Sequence, residues 1–179
     1  MTKVFIDGSA GTTGLKIEER LKERKDISLI ALDEKRRKDI SARRDALNSA
    51  DITFLCLPDE AAREAVSLTE NSGTVIIDAS TAHRTNPEWE YGFPELSEER
   101  KKRIALSKRI AVPGCHASGF IALVYPLIES GILSKKALLP CFSVTGYSGG
   151  GKKMIAEYEA EDRDILLSAP RQYGISQSH

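Results

Sequence analysis

Short apolar runs, bounded by glycine-rich or charged stretches, recur along the first two thirds of the chain. Lys3–Asp7 (KVFID), Ile27–Leu32 (ISLIAL), Asp51–Pro58 (DITFLCLP), Gly73–Asp78 (GTVIID) and Arg109–Val112 have the length and unbroken apolarity of buried strands. Segments of helical periodicity separate them. Leu15–Arg24 carries Ile17 and Leu21 one turn apart, 36–50 is highly charged with a helical spacing, and Glu60–Thr69 aligns Ala62, Ala65, Val66 and Leu68, with Asp59 placed to cap it. Strand and helix in alternation predict a doubly wound α/β domain, a parallel sheet with helices on both faces. After Asp78 the texture changes to a polar loop, 79–84, and an irregular segment, 86–96, that holds the single Trp. A short charged helix then starts at Ser97.

The strand Arg109–Val112 meets a Pro113-Gly114 turn, then Cys115, then the apolar run Phe120–Ile128, which predicts a buried helix with Pro126 inside it and Gly131 ending it. Cys115 therefore falls at or just before a helix N-terminus. Unpaired N–H groups and the helix dipole there favour an anion, in this case a thiolate. The plain alternative is a small buried hydrophobe, the commonest state of a free cysteine. Further on, Ala137–Thr145 predicts a strand running into a second glycine-rich loop, Gly146–Lys153, and a helix over Met154–Glu161. Backbone N–H groups in such a loop suit an anionic substrate.

Directly after the first strand stands Gly8-Ser9-Ala10-Gly11-Thr12-Thr13-Gly14. Strand, glycine turn and helix in that order form a phosphate-binding corner, with glycines for the tight turn and the close backbone approach, and the helix N-terminus for the anion. The spacing is G-x-x-G-x-x-G, weaker as a signature than G-x-G-x-x-G. No Gly-Lys-Ser/Thr closes the loop, which rules out a P-loop nucleotidase. Asp33, at the end of the second strand, argues for a ribose hydroxyl and NAD. The run Glu34-Lys35-Arg36-Arg37-Lys38 behind it argues for a 2′-phosphate, with Arg36 and Arg37 as the candidate forks, and tilts the reading toward NADP(H). Leu57-Pro58 and Ser80, at the ends of later strands, are the remaining candidate cofactor contacts.

Composition narrows the classes. The 179 residues hold 26 basic and 26 acidic side chains, a formal net charge of zero, which gives no support to a nucleic-acid surface. No apolar run approaches a membrane span and the N-terminus leads straight into a strand, so a cytoplasmic protein is expected. Three cysteines lack metal-ligand spacing, and no metal site is expected; Cys56 and Cys141 lie in apolar stretches and read as packing residues.

Five segments in order, GSAGTTG at 8–14, DASTAHR at 78–84, WEYGFPEL at 89–96, PGCHASG at 113–119 and TGYSGGGKKMI at 145–155, resemble the N-acetyl-γ-glutamyl-phosphate reductases, in their shorter bacterial subgroup. The resemblance implies a small-molecule acyl phosphate as substrate, reduced with NADPH to an aldehyde through a thioester on Cys115. It also implies a homo-oligomer, dimer or tetramer. Arg84, His116, Ser148 and Gly149 become the candidate substrate contacts. His116 is no base for Cys115, since helix neighbours point apart. The family's acid/base histidine falls near 177–179, which makes His179 the candidate. Residues 1–113 are then the dinucleotide-binding domain. Residues 114–179 open a catalytic α+β portion that family members continue further. Two rivals stand beside this reading: an aspartate-semialdehyde-dehydrogenase-like enzyme, and a cofactor-binding fragment without activity.

Overall fold

The computed structural model describes residues 1–173. Residues 1–137 form one compact unit and the chain from Leu138 a second. The first unit is built on six parallel strands, β1 (Thr2–Asp7), β2 (Ile27–Ile30), β3 (Ile52–Leu55), β4 (Val75–Asp78), β5 (Glu90–Tyr91) and β6 (Arg109–Ala111), in the spatial order β2-β1-β3-β4-β6-β5. Helices α1 (Thr12–Lys22), α2 (Ile40–Ser49), α3 (Asp59–Leu68) and α4 (Glu98–Leu106) connect them, and α5 (Cys115–Glu129) follows the last strand. The doubly wound α/β architecture expected from the alternating pattern is the one observed.

Connectivity decides where a ligand fits. From β1 the chain passes to β2 on one side of the sheet and then to β3 on the other, so the strand order reverses between β1 and β3. At such a point the outgoing loops diverge and leave a crevice beyond the carboxyl ends of the strands. The register Leu55 opposite Asp78 opposite Ala111 brings the ends of β3, β4 and β6 to one level along that edge.

Phe5, Leu55 and Ile76 from the strands pack with Leu47, Ala46, Ala62 and Ala65 from α2 and α3. Alanine on the helices lets them dock close to the sheet. Each fully buried Leu or Ile contributes roughly 1.5–3 kcal/mol of transfer free energy. Caps follow the sequence in part. The Ser97 hydroxyl accepts from Arg100 N at 3.1 Å to start α4, and Asp39 accepts from Ala42 N to start α2. Asp59 does not cap α3, which begins at Asp59 itself behind Pro58; its carboxylate instead accepts Thr81 N at 3.0 Å and the Thr81 hydroxyl.

Two expectations fail for one reason. The strand expected over 137–145 is absent, and Leu138 and Phe142 are 96% and 93% exposed. A strand exists only when its N–H and C=O groups find a ladder partner, and none of the described residues provides one. The helix after Cys115 does form, because its hydrogen bonds are internal, yet it is not buried: Leu123 is 74% exposed and no α5 residue is buried. Cys141, within the failed strand, is likewise exposed rather than packed. In the second unit, α6 (Gly151–Glu159) is held by the Tyr147–Tyr158 ring stack at 5.0 Å and by Tyr147 Oη donating to Glu159 at 3.0 Å.

One ionic cluster is centred on the buried pair Asp7 and Arg43 at the end of β1. Arg43 Nε donates to Asp7 Oδ2 at 3.0 Å and Nη1 to Glu64 Oε2 at 2.5 Å, tying β1, α2 and α3 together. Burial pushes the Asp7 carboxyl above its ordinary range, and the Arg43 charge opposes that push. Arg43→Met leaves Asp7 buried without its cation, and stability at pH 7 is expected to fall by about 3–5 kcal/mol. A raised folded-state value means stability is kept below the unfolded value and lost as pH rises through the folded one. Urea denaturation of the variant is therefore expected to show a smaller deficit at pH 4 than at pH 7; an equal deficit at both would detach the effect from Asp7.

Candidate active site

The β1–α1 turn is wedged against the exit of β3. Gly8 has φ +87°, and a Cβ there would lie 2.3 Å from the Cys56 carbonyl oxygen; a Cβ on Gly14 would lie 2.4 Å from Gly8 O. Gly11 N donates to Gly8 O at 2.9 Å and closes the turn. Gly11 then caps α1 without a side-chain hydrogen bond, so Thr12 and Thr13 open a helix whose N-terminus is covered by no capping side chain.

Beside this turn lies a cavity of about 450 Å³, lined among others by Gly8, Ser9, Ala10, Leu57, Arg37 and Lys38. Its size suits half of a dinucleotide. The glycines that a Cβ would jam, the uncapped helix and the cations along one wall are the donor set such a cofactor needs. Arg36 ends a 3₁₀ turn over Glu34–Arg36 and, like Asp33, is not part of the lining, whereas Lys38 is. Pro58 precedes α3, outside the lining, while Leu57 lies within it. Lys22 and Glu18 also line the cavity and pair with each other at 2.7 Å; Arg43 is held by Asp7 and Glu64. Among the described residues Arg37 and Lys38 have no carboxylate partner.

Three strands along the same edge from β1, β6 delivers Val112, Pro113 and Gly114 to the start of α5, and Cys115 is its first residue, exposed to solvent. Gly114 is the cap, and its carbonyl receives Ser118 N at 2.8 Å and the Ser118 hydroxyl at 2.9 Å. His116 follows in the first turn, half-buried. The turn is tied to β4 by Val112 N donating to Asp78 O at 2.8 Å.

Asp78, fully buried at the end of β4, organises the next loop. It accepts Ser80 N at 2.9 Å and the Ser80 hydroxyl at 2.7 Å, and its carboxylate lies 2.6 Å from His83 Nδ1. The His83 ring stacks on Trp89 at 4.1 Å. Ser80, proposed from its position as a cofactor contact, thus has its hydroxyl engaged internally. Arg84 leaves this loop with Nε donating to Val112 O at 2.9 Å and Nη2 to Ala79 O at 3.2 Å. Ser148 and Gly149 belong to the second unit, in the 3₁₀ turn Tyr147–Gly150, where a Cβ on Gly149 would meet Thr145 Oγ1 at 2.7 Å. His179 lies outside the described residues. The Asp7–Arg43–Glu64 cluster and the Asp78–His83–Trp89 stack were not foreseen. For Arg43 a signal existed: it shares the buried stripe of α2 with Ala42, Ala46 and Leu47.

Among the described residues no helix is long and apolar enough to cross a membrane, and no three His, Cys, Asp or Glu side chains are grouped to hold a metal ion.

A glycine turn at the switch point and a cysteine-bearing helix on the same sheet edge define a dinucleotide-binding domain of dehydrogenase type. The profile of the semialdehyde dehydrogenase NAD binding domain matches residues 3–104, and the chain belongs to that family. At the level of whole sequences it is 51% identical over 177 residues to an N-acetyl-gamma-glutamyl-phosphate reductase of Chelativorans sp., covering 99% of this chain and 56% of that protein. It is also 51% identical over 158 residues to the enzyme of that name from Trichormus variabilis, covering 88% of this chain and 49% of that one. The chain thus spans about half the length of the curated relatives it matches. Among solved structures, the aspartate semialdehyde dehydrogenase from Francisella tularensis superposes with a TM-score of 0.65 at 19% identity, over 93% of this chain and 53% of that one, a likeness of fold.

The three thiols have different surroundings. Burial, together with the Asp7 and Asp78 carboxylates, pushes the Cys56 thiol up to about 11. A thiol reacts as its thiolate, so in a Cys115→Ser/Cys141→Ser variant the alkylation of Cys56 by iodoacetamide is expected to be negligible at pH 8. Its rate should climb until pH approaches about 11. A plateau reached below pH 9 would contradict this.

Proposed function

We propose that this chain carries the cofactor site and nucleophile of a reductase that converts N-acetyl-γ-glutamyl phosphate to N-acetylglutamate semialdehyde and phosphate, a step of arginine biosynthesis. The observation that carries this reading is the placement of the Gly8–Gly14 turn and Cys115 on one carboxyl edge of one sheet, supported by the 51% identity to reductases of that name. In this reading Cys115, at the N-terminus of α5, attacks the acyl carbon as a thiolate; the carbon–oxygen bond to phosphate breaks and a thioester remains. The nicotinamide cofactor, when bound, supplies the hydride that reduces the thioester carbonyl. The resulting thiohemiacetal returns its electron pair to the Cys115 sulfur as the aldehyde leaves. Residues of the Gly8–Gly14 turn hold the pyrophosphate, with Leu57, Pro58 and Ser80 nearby, and Arg37 with Lys38 takes the 2′-phosphate that distinguishes NADPH from NADH. Arg84, His116, Ser148 and Gly149 remain the candidates for the substrate's anionic groups, His179 for the acid/base, and 113/114 for the boundary between cofactor and catalytic portions. The expected assembly is a homo-oligomer in the cytoplasm.

Two measurements on the same preparation test this. Quenching and enhancement of reduced-cofactor fluorescence is expected to give at least about tenfold tighter binding of NADPH than NADH, the worth of one well-placed charged contact, and Arg37→Ala/Lys38→Ala is expected to erase the difference. The reverse reaction, with N-acetylglutamate semialdehyde, phosphate and NADP⁺, should produce NADPH in the unmodified protein and none in Cys115→Ser. Equal affinity for both cofactors would refute the NADP assignment, turnover surviving in Cys115→Ser would refute the thioester, and binding without turnover would favour the cofactor-binding-fragment reading.

A further inference from the structure

Arg84 is held in a way that an arginine serving only to meet a substrate anion does not require. Its guanidinium is half-buried, and two of its nitrogens are bonded to backbone carbonyls on two different strand exits: Nε to Val112 O beyond β6, and Nη2 to Ala79 O beyond β4. The third nitrogen is pressed against Gly114. A Cβ at that position would lie 2.8 Å from Nη1 and 3.4 Å from Cζ, so the plane of the guanidinium occupies the space a side chain at 114 would need. Gly114 is the cap of α5, and the next residue is Cys115. The loop that delivers Arg84 is itself tightly determined. Asp78 gathers Ser80 and His83, His83 stacks on Trp89, and Asp59 fixes Thr81 from the start of α3. Such cross-bracing makes sense where a side chain must hold one position.

We propose that Arg84 is a positioning residue for Cys115: its guanidinium clamps the turn Val112–Gly114 between the β4 and β6 exits, so that the thiol enters α5 in one orientation. Five N–H groups make this compatible with ligand contact, since one hydrogen on Nη2 and both on Nη1 remain beyond the two carbonyl bonds. Lysine cannot reproduce the clamp, because a single ammonium does not form a planar fork across two carbonyls. Glycine at 114 leaves the room the guanidinium occupies, and a side chain there would have to displace it; the backbone makes no such demand, its φ being an ordinary −73°.

The inference rests on reading Cys115 as the nucleophile, and one experiment separates the two. Alkylation of each cysteine by iodoacetamide is followed by peptide mass spectrometry in the 179-residue chain, at pH 7 and pH 9.5, for the unmodified protein, Arg84→Gln, Arg84→Lys and Gly114→Ala, with NADPH binding as the check on folding. Arg84→Gln is expected to slow Cys115 by about tenfold at both pH values, with Cys141 unchanged as the reference in the same chain, because the turn that orients the thiol is released. Gly114→Ala keeps the arginine but displaces it, and the same direction is expected; Arg84→Lys should fall between. If Arg84→Gln loses its fold, the other two variants carry the comparison. A Cys115 that reacts quickly in the unmodified chain and equally quickly in Arg84→Lys and Gly114→Ala overturns the clamp alone. A Cys115 no faster than the exposed Cys141 in the unmodified chain overturns the nucleophile and the clamp together.

Discussion

The constraint on which the site depends is the approach of the β1–α1 turn to the end of β3. A Cβ at Gly8 would fall 2.3 Å from the Cys56 carbonyl, so the two loops that flank the crevice are in contact backbone to backbone, and only glycine in a left-handed conformation permits it. With that contact made, the turn closes on itself through Gly11, α1 starts without a capping side chain, and its N-terminus is left for an anion. The Asp7–Arg43–Glu64 cluster holds the strand end from which the turn departs. The Asp7–Arg43 pair is buried while Glu64 reaches Arg43 from the surface, and removing one partner of the buried pair would leave an uncompensated charge inside.

A second hub does for the thiol what the glycine contact does for the cofactor turn. Asp78 ends β4 between β3 and β6, and its backbone and side chain face different tasks. The carbonyl receives Val112 N and so sets the level at which the cysteine turn begins. The carboxylate folds the following loop back and directs Arg84 toward that same turn. Both hubs lie on the carboxyl edge of one sheet, which is how a parallel topology brings turns far apart in sequence to the same side.

Much of this was legible from the chain. The alternation of five apolar runs with helical segments determined the parallel sheet, because strands buried on both faces leave an uninterrupted apolar signature. Gly8–Gly14 and the Pro113-Gly114-Cys115 junction marked the two turns from which the candidate site is built, since glycine and proline report backbone requirements directly. What was not legible has a physical cause in each case. The Asp59 carboxylate bonds Thr81 across the fold, a long-range contact that no local capping rule contains. Ser80 was singled out by its place at a strand end, and the bond its hydroxyl makes to the Asp78 carboxylate is a contact the sequence does not show. The apolar pattern over 137–145 describes a surface that needs a partner, but a pattern does not supply the partner. Helix α5 shows the contrast: helical hydrogen bonds close within the segment, so α5 forms with its apolar side chains exposed, whereas an unpaired strand does not form at all.

Cofactor preference illustrates why charge must be counted in three dimensions. In sequence, Asp33 and the run Glu34–Lys38 point in opposite directions, toward a ribose hydroxyl and toward a phosphate. In space, Asp33 and Arg36 drop out of the cavity wall, and the wall's remaining cations divide into two kinds. Lys22 is neutralised by Glu18, and Arg43 by Asp7 and Glu64. Arg37 and Lys38 alone among them face the cavity without a carboxylate among the described residues. An uncompensated pair of cations at the rim of a pocket attracts a dianion far more than a neutral hydroxyl. In the proposed reading this pair is what would take a 2′-phosphate, for a reason that the linear run of charges only suggested.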